Sequence, residues 1–147
     1  MKERTVHYQI EGGTIKLEDG SYVTVGTEKI DYIRDNYETE EIAIMAHFIA
    51  EREELEKAFP EVKIYSSDGH AEGVDLSRVT KLIVYSMSFK TSKYTQRLAR
   101  QANHDRRIPI IVDILVMDEP AIGMEVYKAV ALKKENFDKN SYLRSIK

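Results

Sequence analysis

The sequence predicts an α/β fold in which a mostly parallel sheet lies between two layers of helices, preceded by an N-terminal β-hairpin. After residue 25, strand-like and helix-like segments alternate along the chain, which is the pattern of a doubly wound sheet. The strand-like segments are continuous apolar runs, as expected of strands buried on both faces. At 147 residues, 42% of them hydrophobic, the chain has the size and composition of one domain with a buried core.

The first 26 residues are predicted to form the β-hairpin. The β-rich runs VHYQI, TIKL and SYVTV follow one another here, and Asp19-Gly20 between the last two is a common hairpin turn. We therefore expect two parts, a lead-in hairpin over residues 1–26 and an α/β domain over residues 27–147.

The α/β domain begins with a predicted helix, because Ile30, Ile33 and Tyr37 recur at helical spacing after the suitable N-cap Thr27. The elements that follow are, in order, a strand at 41–48, a helix at 50–59 that ends before Pro60, a strand at 62–65, a polar loop at 66–77, a strand at 81–85, a helix at 91–103, a strand at 109–116, a helix at 121–134 and a polar tail. In such folds, ligands bind at the loops that leave the carboxyl ends of the strands.

The composition excludes several classes of site. The chain has no cysteine, so disulfides and cysteine–metal sites are excluded. Its apolar runs are far shorter than the roughly 20 residues that a membrane-spanning helix needs, and its N-terminus lacks the apolar core of a signal peptide. We therefore expect a cytoplasmic protein without a membrane partner.

The charge of the chain is unevenly distributed. The net charge of −3 is not the balance of a typical nucleic-acid-binding protein. Between residues 86 and 107, however, the chain has six basic residues and a single acidic one, Asp105. The basic residues are Lys90, Lys93, Arg97, Arg100, Arg106 and Arg107. This stretch is suited to phosphate groups; the alternative is an ordinary solvated face.

The motifs of a self-contained enzyme are missing from the sequence. It contains no G-x-x-x-x-G-K-[ST] phosphate loop, no G-x-G-x-x-G after a strand, no G-x-S-x-G and no histidine pair at metal-binding spacing. A complete catalytic site of one of these kinds is therefore not expected within this chain.

The most informative segment is YTQRLARQANHDRR, residues 94–107. At 100° per residue, Gln96, Arg100 and Asn103 share one helix face. A separate apolar face is formed by Tyr94, Leu98, Ala99 and Ala102. A row of Gln and Arg side chains above a packed stripe suits phosphate binding, because the planar guanidinium group is always charged. The alternative is an amphipathic surface helix without a ligand.

The order of the sequence blocks resembles the C-terminal lobe of superfamily II helicase-like ATPases of the Swi/Snf type. The matching blocks are IAIMAHF (42–48) with its following helix, AEGVDLS (71–77), QRLARQAN (96–103), which resembles the arginine motif of the family, and the closing strand and helix at 109–137. Residues 8–33 resemble the lead-in to this lobe in phage and prophage proteins.

This resemblance implies a RecA-like fold and a shared ATP site. In the family, ATP and Mg²⁺ lie between two RecA-like lobes, and the second lobe supplies arginines and part of the nucleic-acid track. By the resemblance, Gln96 and Arg100 face the ATP cleft, and Arg100 contacts phosphate. Gly73 and Asp75 line the motif that couples nucleotide to nucleic acid. The implied partners are an N-terminal lobe of the same protein and DNA, and the candidate DNA contacts are Ser67, His70, Lys90 and Lys93.

One position departs from the family pattern. The second arginine of the motif falls on Asn103, which is neutral and cannot stabilise charge as an arginine does. Arg106 or Arg107 takes its place if the helix continues, although Pro109 disfavours a helical conformation at the preceding residue. We therefore count Arg107 among the candidate catalytic residues, and we expect the chain alone not to hydrolyse ATP.

Two other interpretations stay open. One is a standalone, non-catalytic RecA-like module that binds nucleic acid or a partner through the basic residues 90–107, which Asn103 favours. The other is a flavodoxin-like or receiver-type domain, which fits the α/β pattern but for which the sequence lacks a phosphate loop or an acidic cluster after the first strand.

Overall fold

A computed structural model describes residues 2–67, 76–88, 94–95, 97–98, 108–117, 123–124, 126, 128 and 141–146. The elements are, in chain order, α1 (Lys2–Glu11), β1 (Thr14–Lys16), β2 (Tyr22–Thr24), α2 (Glu28–Asn36), a 3₁₀ turn (Thr39–Glu41), β3 (Ile42–Ala46), α3 (Ile49–Ala58), β4 (Lys63–Ser66), β5 (Lys81–Val84), β6 (Ile111–Met117) and β7 (Ser141–Ile146). Two further groups of residues are helical: Tyr94, Thr95, Arg97 and Leu98 after β5, and Gly123, Met124, Val126 and Lys128 after β6.

Within these residues, five strands form one parallel sheet and two strands form a separate antiparallel hairpin. The order across the sheet is β4-β3-β5-β6-β7, and each neighbouring pair runs parallel. In the hairpin, Thr14 lies opposite Thr24 and Lys16 lies opposite Tyr22. The predicted α/β fold, with its parallel sheet, flanking helices and N-terminal hairpin, is confirmed and is consistent with a RecA-like arrangement.

Each face of the sheet packs against different helices. On one face, Ile44 and Ile83 pack with Ile33 of α2 and Leu55 of α3. The opposite face packs against residues that follow β5 and β6, among them Tyr94, Leu98 and Met124. Because the strands are covered on both sides, they carry continuous apolar runs rather than an alternating pattern.

One carboxylate lies in the middle of the buried strand β6. The hydroxyl of Tyr37, which follows α2, donates to Asp113 Oδ2 at 2.5 Å. Arg144 Nε of β7 donates to Asp113 Oδ1 at 3.2 Å. Because each carboxylate oxygen has a donor, the buried charge is compensated, and three elements are joined through it.

The first residues correct the prediction of a strand-like run at VHYQI, because residues 2–11 form the helix α1. Tyr8 is buried, whereas Val6 and Ile10 on either side of it are exposed. A strand would place all three side chains on one face, but a helix turns the middle one away from the other two. The apolar alternation of this run therefore does not correspond to one buried face.

The last residues correct the prediction of a polar tail, because Ser141–Ile146 forms the strand β7. Among the described strands, β7 lies at the edge of the sheet and pairs only with β6, from Ser141 opposite Val112 to Ile146 opposite Met117. Tyr142 stays exposed while Ile146 is buried. An edge strand of this kind lacks the continuous apolar run by which the central strands are recognised.

Candidate functional site at the carboxyl edge of the sheet

The strand order creates a crevice between β3 and β5. From β3 the chain passes through α3 to β4 on one side, and from β5 it passes over the opposite face to β6. The segments that follow these two neighbouring strands therefore run to opposite sides of the sheet and leave a crevice between them. Ligands of open α/β sheets bind in such crevices. We call the residues that follow the two strands, 47–48 and 85–87, the switch-point residues.

The switch-point residues after β5 are held by side chains from two helices. Lys29 Nζ of α2 donates to the Tyr85 carbonyl oxygen at 2.5 Å. The Ser86 hydroxyl accepts a hydrogen bond from the His47 amide at 2.7 Å and donates one to Glu51 Oε1 of α3. Ser86 therefore connects the ends of β3 and β5 with the first turn of α3.

The N-terminal segment packs onto the same residues. The Met87 amide donates to the Tyr8 hydroxyl of α1 at 2.8 Å, and the Tyr85 hydroxyl donates to the Gly12 carbonyl oxygen at 2.6 Å. The Tyr8 ring also meets the Phe48 ring edge-on, with 5.7 Å between centroids. Burial raises the pKa of Tyr8 above its usual value, so its hydroxyl stays neutral. The turn after α1 and the helix itself thus cover the switch-point residues.

A lysine and a glutamate are buried together beneath this cover. Lys29 and Glu51 are each only 1% exposed. Burial lowers the pKa of Lys29, and the carboxylates of Glu51 and Glu11 oppose this change. Burial raises the pKa of Glu51 to about 7, against the opposing effects of the Lys29 charge and of the Ser86 hydrogen bond. Glu51 therefore changes its charge near neutral pH.

Glu51 keeps part of its hydrogen-bonding capacity unused. Among the residues that the structure describes, its Oε2 atom has no hydrogen-bond partner. A Cβ atom at Gly12 would lie 1.7 Å from this oxygen, so the turn after α1 approaches the carboxylate as closely as only glycine allows. The Lys29 ammonium lies 5.0 Å from the Tyr85 ring centroid and 6.0 Å from that of Tyr8, within the range of cation–π attraction.

A groove of about 310 Å³ lies beside the switch point, between the β1–β2 hairpin and the start of α3. His47 and Phe48 line it from the end of β3, together with Ile49, which is 65% exposed. Thr14 and Lys16 line it from the hairpin, and the buried Thr14 hydroxyl has no hydrogen-bond partner within the described ranges. Glu53 of α3 also lines it, so the groove offers apolar, cationic, anionic and neutral polar groups to a ligand.

Four helical residues of the segment with the arginine motif are described. Tyr94 and Leu98 are buried against the sheet, as their assignment to the apolar face predicts. Thr95 is also buried, and its Oγ1 atom lies 3.9 Å from Met45 Sδ. Arg97 is exposed, and its guanidinium carbon lies 5.3 Å from the Tyr94 ring centroid. The apolar face of this predicted helix is therefore confirmed at these positions.

Of the candidate site residues, Ser67 alone lies in the described part of the chain. It follows β4, its amide donates to the Ala46 carbonyl oxygen at 3.1 Å, and its side chain is fully buried. The other candidates lie outside the described residues: Gln96, Arg100, Arg107, Gly73, Asp75, His70, Lys90 and Lys93. Their assignments, and that of Ser67 to DNA, stay predictions.

The sequence does contain a signal for the buried pair, although the motifs above do not include it. Lys29 stands four residues before the buried Ile33 in α2, and Glu51 stands four residues before the buried Leu55 in α3. Residues four apart share one face of a helix, so each charge lies on the face that packs against the sheet. Two opposite charges on the inward faces of two helices indicate a buried pair.

No protein-family model matches this chain, and neither does any curated protein. Within the described ranges, no group of three or more His, Cys, Asp or Glu residues is placed to hold a metal ion. In the same ranges, no helix has the length and apolar character that crossing a membrane requires.

Proposed function

We propose that this chain is the C-terminal lobe of a Swi/Snf-type, nucleic-acid-dependent ATPase that couples ATP hydrolysis to movement along DNA or to its remodelling. The observation that supports this most directly is the burial of Tyr94 and Leu98 on the sheet, just after the switch-point residues of β5. The apolar side of this helix therefore packs against the sheet. We propose that its polar residues contact a ligand near the crevice at which α/β folds bind ligands. We place the protein in the cytoplasm as part of this proposal.

The proposed contribution to ATP hydrolysis is electrostatic. Arg100 stabilises the charge that develops on the transferred phosphoryl group, and Gln96 faces the same cleft. Arg107 takes the place of the second arginine, because Asn103 cannot supply that charge. ATP and Mg²⁺ are assigned to the N-terminal lobe, where the metal ion neutralises phosphate charge.

The proposed DNA track runs along the carboxyl edge of the sheet. Its candidate contacts, besides Ser67, are His70, Lys90 and Lys93, and Gly73 and Asp75 belong to the loop that couples DNA to the nucleotide. The groove beside the switch point supports a track here through Lys16 and its apolar side chains, although Glu53 also lines it. Lysines neutralise backbone phosphates, and apolar side chains pack against bases.

If Lys90 and Lys93 contact DNA, removing them should reduce the salt dependence of DNA binding. For the 147-residue chain binding labelled single-stranded DNA, the Lys90→Gln/Lys93→Gln double variant should reduce the magnitude of the slope of log affinity against log salt concentration by about 1.4. The matched control is Lys57→Gln/Lys63→Gln, which removes two exposed lysines from α3 and β4. Equal slopes in both double variants would contradict the proposed track.

The ATPase proposal is tested in the native product. An antibody against this chain should detect, in source cells, a protein several times larger than 17.0 kDa. In that protein, Arg100→Ala should reduce DNA-stimulated kcat by about 10³-fold, because it removes an arginine that acts in the transition state. Arg34→Ala is the control, since Arg34 is an exposed arginine on α2, outside the basic stretch. Equal losses in the two variants, or tight ATP binding by the isolated chain, would contradict the proposal.

The second candidate function is a standalone RecA-like module that binds nucleic acid or a partner without catalysis. Asn103 favours it, because an arginine that the family uses in catalysis is absent at that position. A native product of 17.0 kDa that binds DNA in a salt-sensitive manner and alters no ATPase would support this function over the first.

A further inference from the structure

The residues that leave β5 are anchored more completely than an ordinary loop requires. The Tyr85 amide, carbonyl and hydroxyl groups are all hydrogen-bonded, to Met45, Lys29 and Gly12 respectively. Ser86 and Met87 add further bonds to β3, α3 and α1. Loops at the edge of a sheet usually leave some of these groups to water. Here, side chains and backbone from four other elements fix three consecutive residues.

The anchors include two charges whose burial is costly. Removing a lysine and a carboxylate from water costs several kcal/mol for each ion, and apolar residues of similar size often stabilise a fold as well or better. The pair Lys29 and Glu51 is therefore weak as a source of stability. Its attested use is to specify one geometry, because a buried polar group tolerates few alternative arrangements.

The helix α1 contacts the start of both segments that follow the central strands. Tyr8 accepts the hydrogen bond from Met87, just after β5. Three residues further along α1, Glu11 Oε1 accepts a hydrogen bond from the Gly123 amide at 2.8 Å, in the helical segment after β6. Gly12 then brings the backbone against Glu51. One short helix thus connects the exits of β5 and β6 with the buried pair.

We propose that α1 and the buried group Lys29–Glu51–Ser86 position the exit of β5, and through it the helix that carries the arginine motif. Tyr8 and Glu51 are then positioning residues, and α1 is part of the working lobe rather than a detachable lead-in. The role of this helix in an ATP site rests on the proposed function. Its positioning by α1 does not depend on that function.

The test is hydrogen exchange in the 147-residue chain carrying Tyr8→Phe, which keeps the ring and removes the acceptor of the Met87 amide. We expect amide exchange between residues 86 and 98 to become about tenfold faster, while the amides of β3 and β4 keep their wild-type rates. The control is Tyr22→Phe, which removes a hairpin hydroxyl bonded to Glu54 and should leave residues 86–98 unchanged. Circular dichroism establishes that both variants fold.

The pattern of exchange separates positioning from general stability. Faster exchange by one common factor in β3, β4 and residues 86–98 would mean that Tyr8 only stabilises the fold, and no change at residues 86–98 would mean that it does nothing there; either result overturns the proposal. In parallel, Tyr8→Phe should weaken DNA binding by about threefold or more, whereas Tyr32→Phe, at a tyrosine of α2 outside the groove, should not. If the wild-type chain binds no DNA, the proposed function fails while the exchange pattern still decides the role of α1.

Discussion

Two carboxylates are buried in contact with the same sheet, and they differ in how their charge is compensated. Asp113 of β6 has a donor at each oxygen, from Tyr37 and from Arg144. Arg144 is 42% exposed, so the positive charge reaches water while the carboxylate stays inside. This arrangement is complete, because each oxygen is satisfied and the counter-charge remains solvated.

Glu51 is compensated in a different way. Its counter-charge, Lys29, is itself buried, and its Oε2 atom has no hydrogen-bond partner among the described residues. Burial raises the pKa of Glu51 to about 7, although the Lys29 charge lowers it. Two carboxylates that are equally buried can therefore differ in whether both of their oxygens have a hydrogen-bond donor. The incompletely compensated group lies at the switch point, where a fixed geometry matters most for binding.

The largest effect is expected from removing the buried counter-charge. Lys29→Met should lower the free energy of unfolding by about 3–5 kcal/mol at pH 8, because it removes the buried donor to the Tyr85 carbonyl and the nearby charge that favours ionised Glu51. Adding Glu51→Gln should restore most of the loss, and urea denaturation measures both variants. Lys57→Met, at an exposed lysine, is the control and should change stability by less than about 0.5 kcal/mol. Additive losses in the double variant would show that the two charges do not interact.

The next effect is a pH dependence of stability that arises from Glu51. The folded-state pKa of Glu51, about 7, lies above its ordinary value of 4.5, so the folded chain binds this proton more tightly. The resulting stabilisation is fully present below pH 4.5 and is lost as the pH rises through 7, by about 3 kcal/mol in total. Glu51→Gln should remove this loss between pH 5 and 8, whereas Glu54→Gln should retain it. Parallel stability curves for wild type and Glu51→Gln would contradict the assignment.

The smallest effect is expected at the fully compensated cluster. Tyr37→Phe removes the donor to Asp113 Oδ2 but leaves the Arg144 bond in place. We expect a loss of about 1–2 kcal/mol in the free energy of unfolding, without a change in hydrogen exchange at residues 86–98. Tyr32→Phe, on the helix α2 that Tyr37 follows, provides the reference for losing a tyrosine hydroxyl. A loss as large as that of Lys29→Met would remove the distinction between the two clusters.

The central sheet could be predicted from the sequence because its strands are encoded locally. Residues 42–46 form an apolar run of strand length, and residues 111–116 form another that Asp113 interrupts. Segments with helical periodicity separate the two runs. Helix α1 and strand β7 could not be recognised in this way. In α1 the apolar alternation does not mark a shared face, and β7 is an edge strand whose side chains remain partly polar.

The candidate site was less accessible to prediction, because its contacts join residues far apart in the sequence. Lys29 reaches Tyr85 across 56 residues, and Glu51 reaches Ser86 across 35. No local pattern encodes such pairs; only the four-residue offset from a buried apolar residue indicates that each charge faces inward. The arginine motif, by contrast, was identified from local spacing and resemblance, and its roles stay predictions.

The contacts of α1 have a consequence for the order in which the chain acquires its structure. Tyr8 meets Met87 across 79 residues, and Gly123 meets Glu11 across 112. A ten-residue helix is too short to be stable alone in water, so α1 has no lasting structure until these distant residues exist. At about 5–20 residues per second, the ribosome needs roughly 4–16 seconds to advance from Tyr8 to Met87. Residues 2–11 therefore acquire their structure only after residues 87 and 123 have been synthesised, several seconds after their own synthesis.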